Sequence, residues 1–198
     1  MDRVVTVGDL IRGFSTREVV PIDVQDDVVP YLRNLGVKEE LYFFEADLID
    51  DVLKGNIEHW EYPVGLSQQG VVEISYARSL DPEWKRLVCC KELIHLLDPV
   101  DARVMTEDEF DKLVSKIGLP AELQDPLGDG APVWNDRLAV LQAVAVLFPW
   151  NTRQLFKAPY EGGRISITEI ANYVDIPRRY AALVMSDDWE PVHHYLSR

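Results

Sequence analysis

The chain has 198 residues, is 47% hydrophobic and carries a formal net charge of −14. That length and apolar content suffice for one sizeable core, and no apolar run approaches the roughly 20 residues that a membrane-spanning helix requires. The acidity sets the average field against phosphate backbones, so nucleic acid is not the expected partner.

The opening MDRVVTVGDLIRGF lacks the apolar segment and cleavage site of a signal peptide. Residues 1–18 read as a mixed lead-in, a short strand followed by a turn. PIDVQDDVVPYLRNLGV then reads as a helix opened by Pro21, with Ile22, Val28, Val29, Leu32 and Leu35 apolar. Pro30 should kink or split it, and Gly36 should stop it. EELYFFEADLIDDVLKG reads as a second amphipathic helix closed by Gly55. From 56 to 79, Pro63, Gly65 and Gly70 bracket short runs, and GVVEISYA is rich in β-branched and aromatic residues, which predicts a small sheet.

Asp81 and Pro82 suit the cap and first turn of a helix that carries RLVCCKELIHLL. TEDEFDKLVSKIG, with Thr106 and Glu109 spelling a capping box, predicts a further short helix, and PAELQDPLGDGAP a polar loop. NDRLAVLQAVAVLFPW is a strongly apolar helix ended by Pro149. SITEIANYVDIPRRYAALVMS predicts two short helices around Asp175 and Ile176, with a capping box at Ser166 and Glu169. The two cysteines, Cys89 and Cys90, are adjacent and offer no disulfide framework, so a reduced, cytoplasmic setting is expected.

The stretch Lys91-Glu92-Leu93-Ile94-His95 spells His-Glu-x-x-His with lysine at the first position. In a zinc peptidase helix the two histidines stand about 40° apart on the wheel and share one metal, while the glutamate polarises the metal-bound water. Protonated lysine has no lone pair for a metal. On the same projection Lys91, His95 and Asp98 share an arc with Trp84, Leu87 and Val88, so the polar trio sits within an apolar face and needs partners. Cys90 and Cys89 stand about 140° and about 120° from His95, too far around the helix to replace the missing ligand. Two plainer readings stand beside this: His95 as a hydrogen-bonded core residue, and Lys91 with its head turned out to water.

The order of segments resembles the ImmA/IrrE family of zinc metallopeptidases, whose members often accompany phage or mobile-element repressors. PIDVQDDVVPYLRNLGV is similar to the family's helix ending in a Leu-Gly-Ile/Val step, and GVVEISYA precedes the motif helix as the family's small sheet does. DRLAVLQAVAVLFP keeps the spacing of the family's E-x-x-A-x-x-x-A-x-x-L-L-M-P helix, with Asp136, Ala139, Ala143 and Pro149 in step. ITEIANYVDIPRRYAALV matches its closing short helices. The resemblance spans roughly residues 20–185.

It implies an α+β, mostly helical fold: a zincin-like core with a small β-sheet and a C-terminal pair of short helices. The expected division is a metallopeptidase-like domain over 1–150 with a short-helix region over 151–198 packed on it. It also implies Glu92 as relict general base, with His95 and Asp136 as relict metal ligands. With lysine at 91 the expected outcome is a charge cluster of Lys91, Glu92, His95 and Asp136 in place of a metal, and no cofactor. Asp136 has a second reading as a helix N-cap, shared with Asn135.

Residues 151–185 carry five cations against three anions, so the acidity lies almost wholly in the first 150 residues. This charge serves solubility or offers a docking face to a basic partner. Arg164, Arg178 and Arg179 form a candidate basic patch on the terminal helix pair, which either reads DNA as a helix-turn-helix or packs on the core. A pair is short of the three helices that a DNA reader requires. The expected function is that of a catalytically inactive metallopeptidase-like binding or regulatory protein acting through protein contacts. A zinc peptidase with an atypical ligand set, and an acidic inhibitor of a nucleic-acid-binding protein, are the alternatives.

Overall fold

A computed structural model describes residues 5–50, 53–64, 67–98 and 131–198. The chain is α+β and mostly helical, with one small mixed sheet. The helix expected over 106–118 and the polar loop after it lie outside the described residues, apart from the loop's last two positions.

The lead-in is a helix, α1 (Val7–Ser15), not a strand. Thr6 and Asp9 form a reciprocal capping box at its start, and Leu10, Ile11 and Phe14 recur at helical spacing and are buried. The next helix is split as Pro30 requires. Proline has no amide to continue the ladder, and the turn before it, Val24–Val28, is wound as a π turn with Val28 N–H donating to Asp23 O. α2 (Val29–Leu35) follows and ends at Gly36, whose φ of 108° closes a left-handed cap.

The stretch from Glu40 corrects the reading of a second amphipathic helix. It begins as a strand, β1 (Glu40–Ala46), and Gly55 opens another, β2 (Gly55–Val64), instead of closing a helix. Leu41 and Phe43 are half-buried while Tyr42 and Phe44 are exposed, a period of two that suits a sheet with one solvated face. β3 (Ser67–Ala77) lies at the centre, parallel to β1 and antiparallel to β2. Val72 and Ile74 on β3 are fully buried.

α3 (Pro82–Ile94) packs against β2, β3 and α4 (Ala131–Leu147). Pro82 stands in its first turn; Asp81 holds the N-cap position but makes no side-chain cap bond. α4 continues the core almost without a polar face, with Ala143 to Phe148 all fully buried. Four helices follow: α5 (Trp150–Glu161), α6 (Ile167–Val174), α7 (Arg178–Met185) and α8 (Trp189–Leu196). The predicted pair is α6 and α7, with the Ser166–Glu169 capping box in place. α5 and α8 were not read from the sequence, so the region holds more than a pair, and the objection that two helices are too few for a DNA reader lapses. α1 touches α4, α5 and α8, and one hydrophobic cluster runs from Leu10 to Leu196.

Two arginines fasten these parts. Arg86 on α3 donates to Ile22 O at 2.8 and 2.6 Å, to Val174 O at 2.7 Å and to Asp175 O, so it ties the entry of the π turn to the end of α6. Arg153 on α5, 1% exposed, donates to Val184 O at 2.7 Å and Ser186 O at 3.0 Å. Among the described residues no helix is long and apolar enough to cross a membrane.

Candidate functional site

The motif helix is buried nearly all round. Leu87, Cys90, Leu93 and Ile94 are at most 2% exposed, and so is Glu92. The α-helix ends at Ile94, and His95–Leu97 tighten into a 3₁₀ turn. Across from it, Asp136, Ala139 and Ala143 follow one another on one face of α4 at i, i+3 and i+7. The two alanines are both buried.

Asp136 lies in the second turn of α4, which starts at Ala131, so the N-cap reading of this residue is corrected. The Lys91 ammonium donates to Asp136 Oδ1 at 2.6 Å and lies 2.8 Å from Glu92 Oε1. Oε1 of Glu92 is buried, has this ion pair and makes no hydrogen bond. His95 Nε2 lies 3.6 Å from the same Asp136 oxygen, and Nδ1 is 2.6 Å from Asp98 Oδ2. Lys91, Glu92, His95 and Asp136 are therefore one cluster, and Asp98 is its fifth member. Lys91 is 13% exposed and points into the protein, which removes the reading in which its head turns to water.

The charges reinforce one another. Burial penalises the Lys91 ammonium, but Glu92 and Asp136 outweigh that penalty and raise its pKa. Burial likewise opposes an ionised Asp136, yet Lys91 and the nearby His95 hold its carboxyl well below the usual range. His95 loses solvation too; the nearby Asp136 carboxylate and the hydrogen bond to Asp98 overcome this and raise it to about 9. At neutral pH both ring nitrogens are thus donors, and the cluster sets two cations against three carboxylates.

This donor set does not suit a zinc ion. A metal needs lone pairs converging on one point. Here the carboxylates of Glu92 and Asp136 face the ammonium, and a metal would have to displace both that ammonium and the proton of His95. The cysteines stand about 140° and about 120° around the helix from His95, and burial, which pushes both thiols up to about 12, further disfavours a thiolate.

Gly55, read from the sequence as a helix stop, has another task. A Cβ there would meet Val88 Cγ1 at 2.3 Å and Glu92 Oε1 at 3.0 Å, so only glycine lets β2 lie this close to the cluster. Val88 is β-branched and stiff. Gly55→Ala should therefore destabilise the fold by about 1–3 kcal/mol through overpacking. A urea midpoint equal to the parent's would show that strand and helix separate freely.

Arg164 lies between α5 and α6, while Arg178 and Arg179 open α7, and all three are exposed. Arg179 is already engaged: its guanidinium lies 4.5 Å from the ring centroid of Trp84 on α3 and 4.7 Å from that of Tyr180. A cavity of about 210 Å³ opens where Trp150 meets His193 and Glu190, and no cluster residue lines it. Comparisons with protein-family models, with curated proteins and with solved structures found no match.

Sequence reasoning placed Asp98 on the arc of Lys91 and His95 without assigning it a role; its spacing of i+3 from His95 was the usable signal. Arg86 carried no such signal, because its acceptors are carbonyls 64 to 89 residues away.

Proposed function

We propose that this chain is a degenerate relative of the ImmA/IrrE-type zinc metallopeptidases, without peptidase activity, that acts as a binding or regulatory protein through contacts with another protein. One observation carries the reading: the Lys91 ammonium lies between the carboxylates of Glu92 and Asp136, at the positions where the resemblance implies ligand, general base and acidic ligand. A zincin-like core belongs to the same proposal. The small sheet, the motif helix and the acidic helix occur in the implied order, and the motif helix packs against both others. The physical logic is one of charge. Carboxylates left behind by a metal are costly to bury unpaired, and an ammonium supplied by α3 neutralises them without restoring a Lewis acid. Association with phage or mobile-element functions is part of this proposal and rests on the resemblance.

The parent protein should bind zinc no more tightly than micromolar; stoichiometric zinc surviving dialysis against a mild chelator would overturn the reading. Lys91→His restores His-Glu-x-x-His with Glu92 and His95. At zinc 100-fold above its dissociation constant, binding would stabilise that variant by about 2.7 kcal/mol, or roughly 5–10 °C for a chain of this size. A melting temperature that responds to zinc in the variant alone supports a converted metal site. If neither protein responds, the spelling of the motif is a coincidence.

A further inference from the structure

Among the described residues, the side of the sheet away from Val72 and Ile74 forms an exposed aromatic surface. Tyr42 and Phe44 on β1, and Trp60 and Tyr62 on β2, project from it, each 45–50% exposed. The register sets Tyr42, Glu73 and Glu58 in one row across the three strands, and Glu40, Val71 and Trp60 in the next. Directly opposed residues share a face, so four aromatic rings stand interleaved with the carboxylates of Glu40, Glu58 and Glu73. The strands place no lysine or arginine on this face. Tyr42 and Phe44 stack with centroids 6.4 Å apart, and the Tyr42 hydroxyl donates to Glu40 Oε2 at 2.9 Å.

We infer that this face docks an arginine-rich segment of another protein, with guanidinium groups laid on the four rings and paired with the three glutamates. The inference rests on the protein-binding role proposed above, not on the origin of the Lys91 cluster.

Charge and chemistry select the occupant. Elsewhere the chain covers its own rings with cations: Arg179 lies over Trp84, Arg153 over Trp150 and Arg17 over Phe14. Among the described residues none lies over Tyr42, Phe44, Trp60 or Tyr62. Guanidinium is planar, weakly hydrated and able to stack on a ring while bonding a carboxylate with two N–H groups, so arginine fits better than lysine. A second copy of this face is disfavoured, because a two-fold contact would set its glutamates against themselves. Single-stranded nucleic acid also stacks on aromatic sheets, but it needs a positive groove for its phosphates.

The test uses the full chain and two synthetic peptides, one alternating arginine with glycine and one alternating lysine with glycine, titrated by calorimetry at several salt concentrations. The arginine peptide should bind at least threefold more tightly than the lysine peptide. Trp60→Ala combined with Tyr42→Ala should weaken it tenfold or more, and Trp60→Phe should retain most of the affinity. Glu58→Gln with Glu73→Gln should weaken it and flatten the salt dependence, while the equal charge change of Glu18→Gln with Asp187→Asn should not. Equal binding of the two peptides, or face variants no weaker than that distant pair, would reduce the effect to bulk acidity and overturn the inference. So would self-association abolished by the face variants without any peptide binding, or preferential binding of a single-stranded oligonucleotide. Such a failure alongside a zinc response in Lys91→His would remove the docking face and leave the relict-site reading standing.

Discussion

Lys91→Ala is expected to lower the unfolding free energy by roughly 3–5 kcal/mol, the range for removing one partner of a buried ion pair. The ammonium is shared by two carboxylates, with the Glu92 side chain 3% and the Asp136 side chain 19% exposed. Glu92 Oε1 has no hydrogen bond to fall back on, so truncation leaves a buried oxygen with neither charge partner nor donor. The depressed pKa of Asp136 depends chiefly on Lys91 against the opposing effect of burial, and its acid limb should move up in the same variant. Pairing Lys91→Met with Asp136→Asn should recover only the part of the loss that comes from Asp136, because Glu92 still loses its charge partner. Urea unfolding of the parent, both single variants and the double variant measures the coupling. Should Lys91→Ala unfold at the parent's midpoint, the lysine contributes nothing and the cluster has no energetic meaning.

The second large effect is a loss of stability in mild alkali. A free imidazole titrates near 6.5, whereas His95 in the folded chain is raised to about 9 by the nearby Asp136 carboxylate and its bond to Asp98, against the pull of burial. A raised pKa means that the folded state binds the proton more tightly. The stabilisation is therefore fully present below about pH 6.5, declines as pH rises and is gone above about 9. Its full size, at about 1.4 kcal/mol per pH unit, is up to about 3 kcal/mol. Asp136 has the opposite sign: its stabilisation is fully present above the ordinary carboxylate range and is lost as pH falls below that range toward its depressed folded value. The two limbs place the optimum at about pH 5–6.5. His95→Gln should be less stable than the parent at pH 6 and should converge with it near pH 9.5. Parallel curves for parent and variant across that interval would show that the imidazole does not titrate with folding.

The same residues show how far local chemistry reaches. Gly36 as a helix stop, Pro30 as a break and the Ser166–Glu169 capping box were legible because each acts within one turn of its own position. So was the placing of Lys91 and His95 on one arc, which follows from helical spacing alone. The stretch from Glu40 was not legible. Its leucines and aromatics satisfy a helical pattern as well as an alternating one, and the decision came from β3, which supplied hydrogen bonds to Glu40–Ala46 from some 31 residues downstream. The helix over Val7–Ser15 was locally encoded, by the Thr6–Asp9 box and its apolar spacing, but was read as a strand.

The sequence by itself determined which residues are available to the cluster: an ammonium where a metal ligand would stand, a glutamate beside it, a histidine one turn on and an acid 45 residues downstream. Only the tertiary structure decided their state. Packing of α3 on α4 turned Asp136 from a candidate cap into the partner of Lys91, and it added a second carboxylate to the one that Asp98 already gives His95. Gly55 belongs to the same class, since its task is set by the approach of Val88 and Glu92 from another element. Composition and spacing fix formal charges and faces, but a protonation state depends on distance and desolvation, and both arise only when separate elements meet.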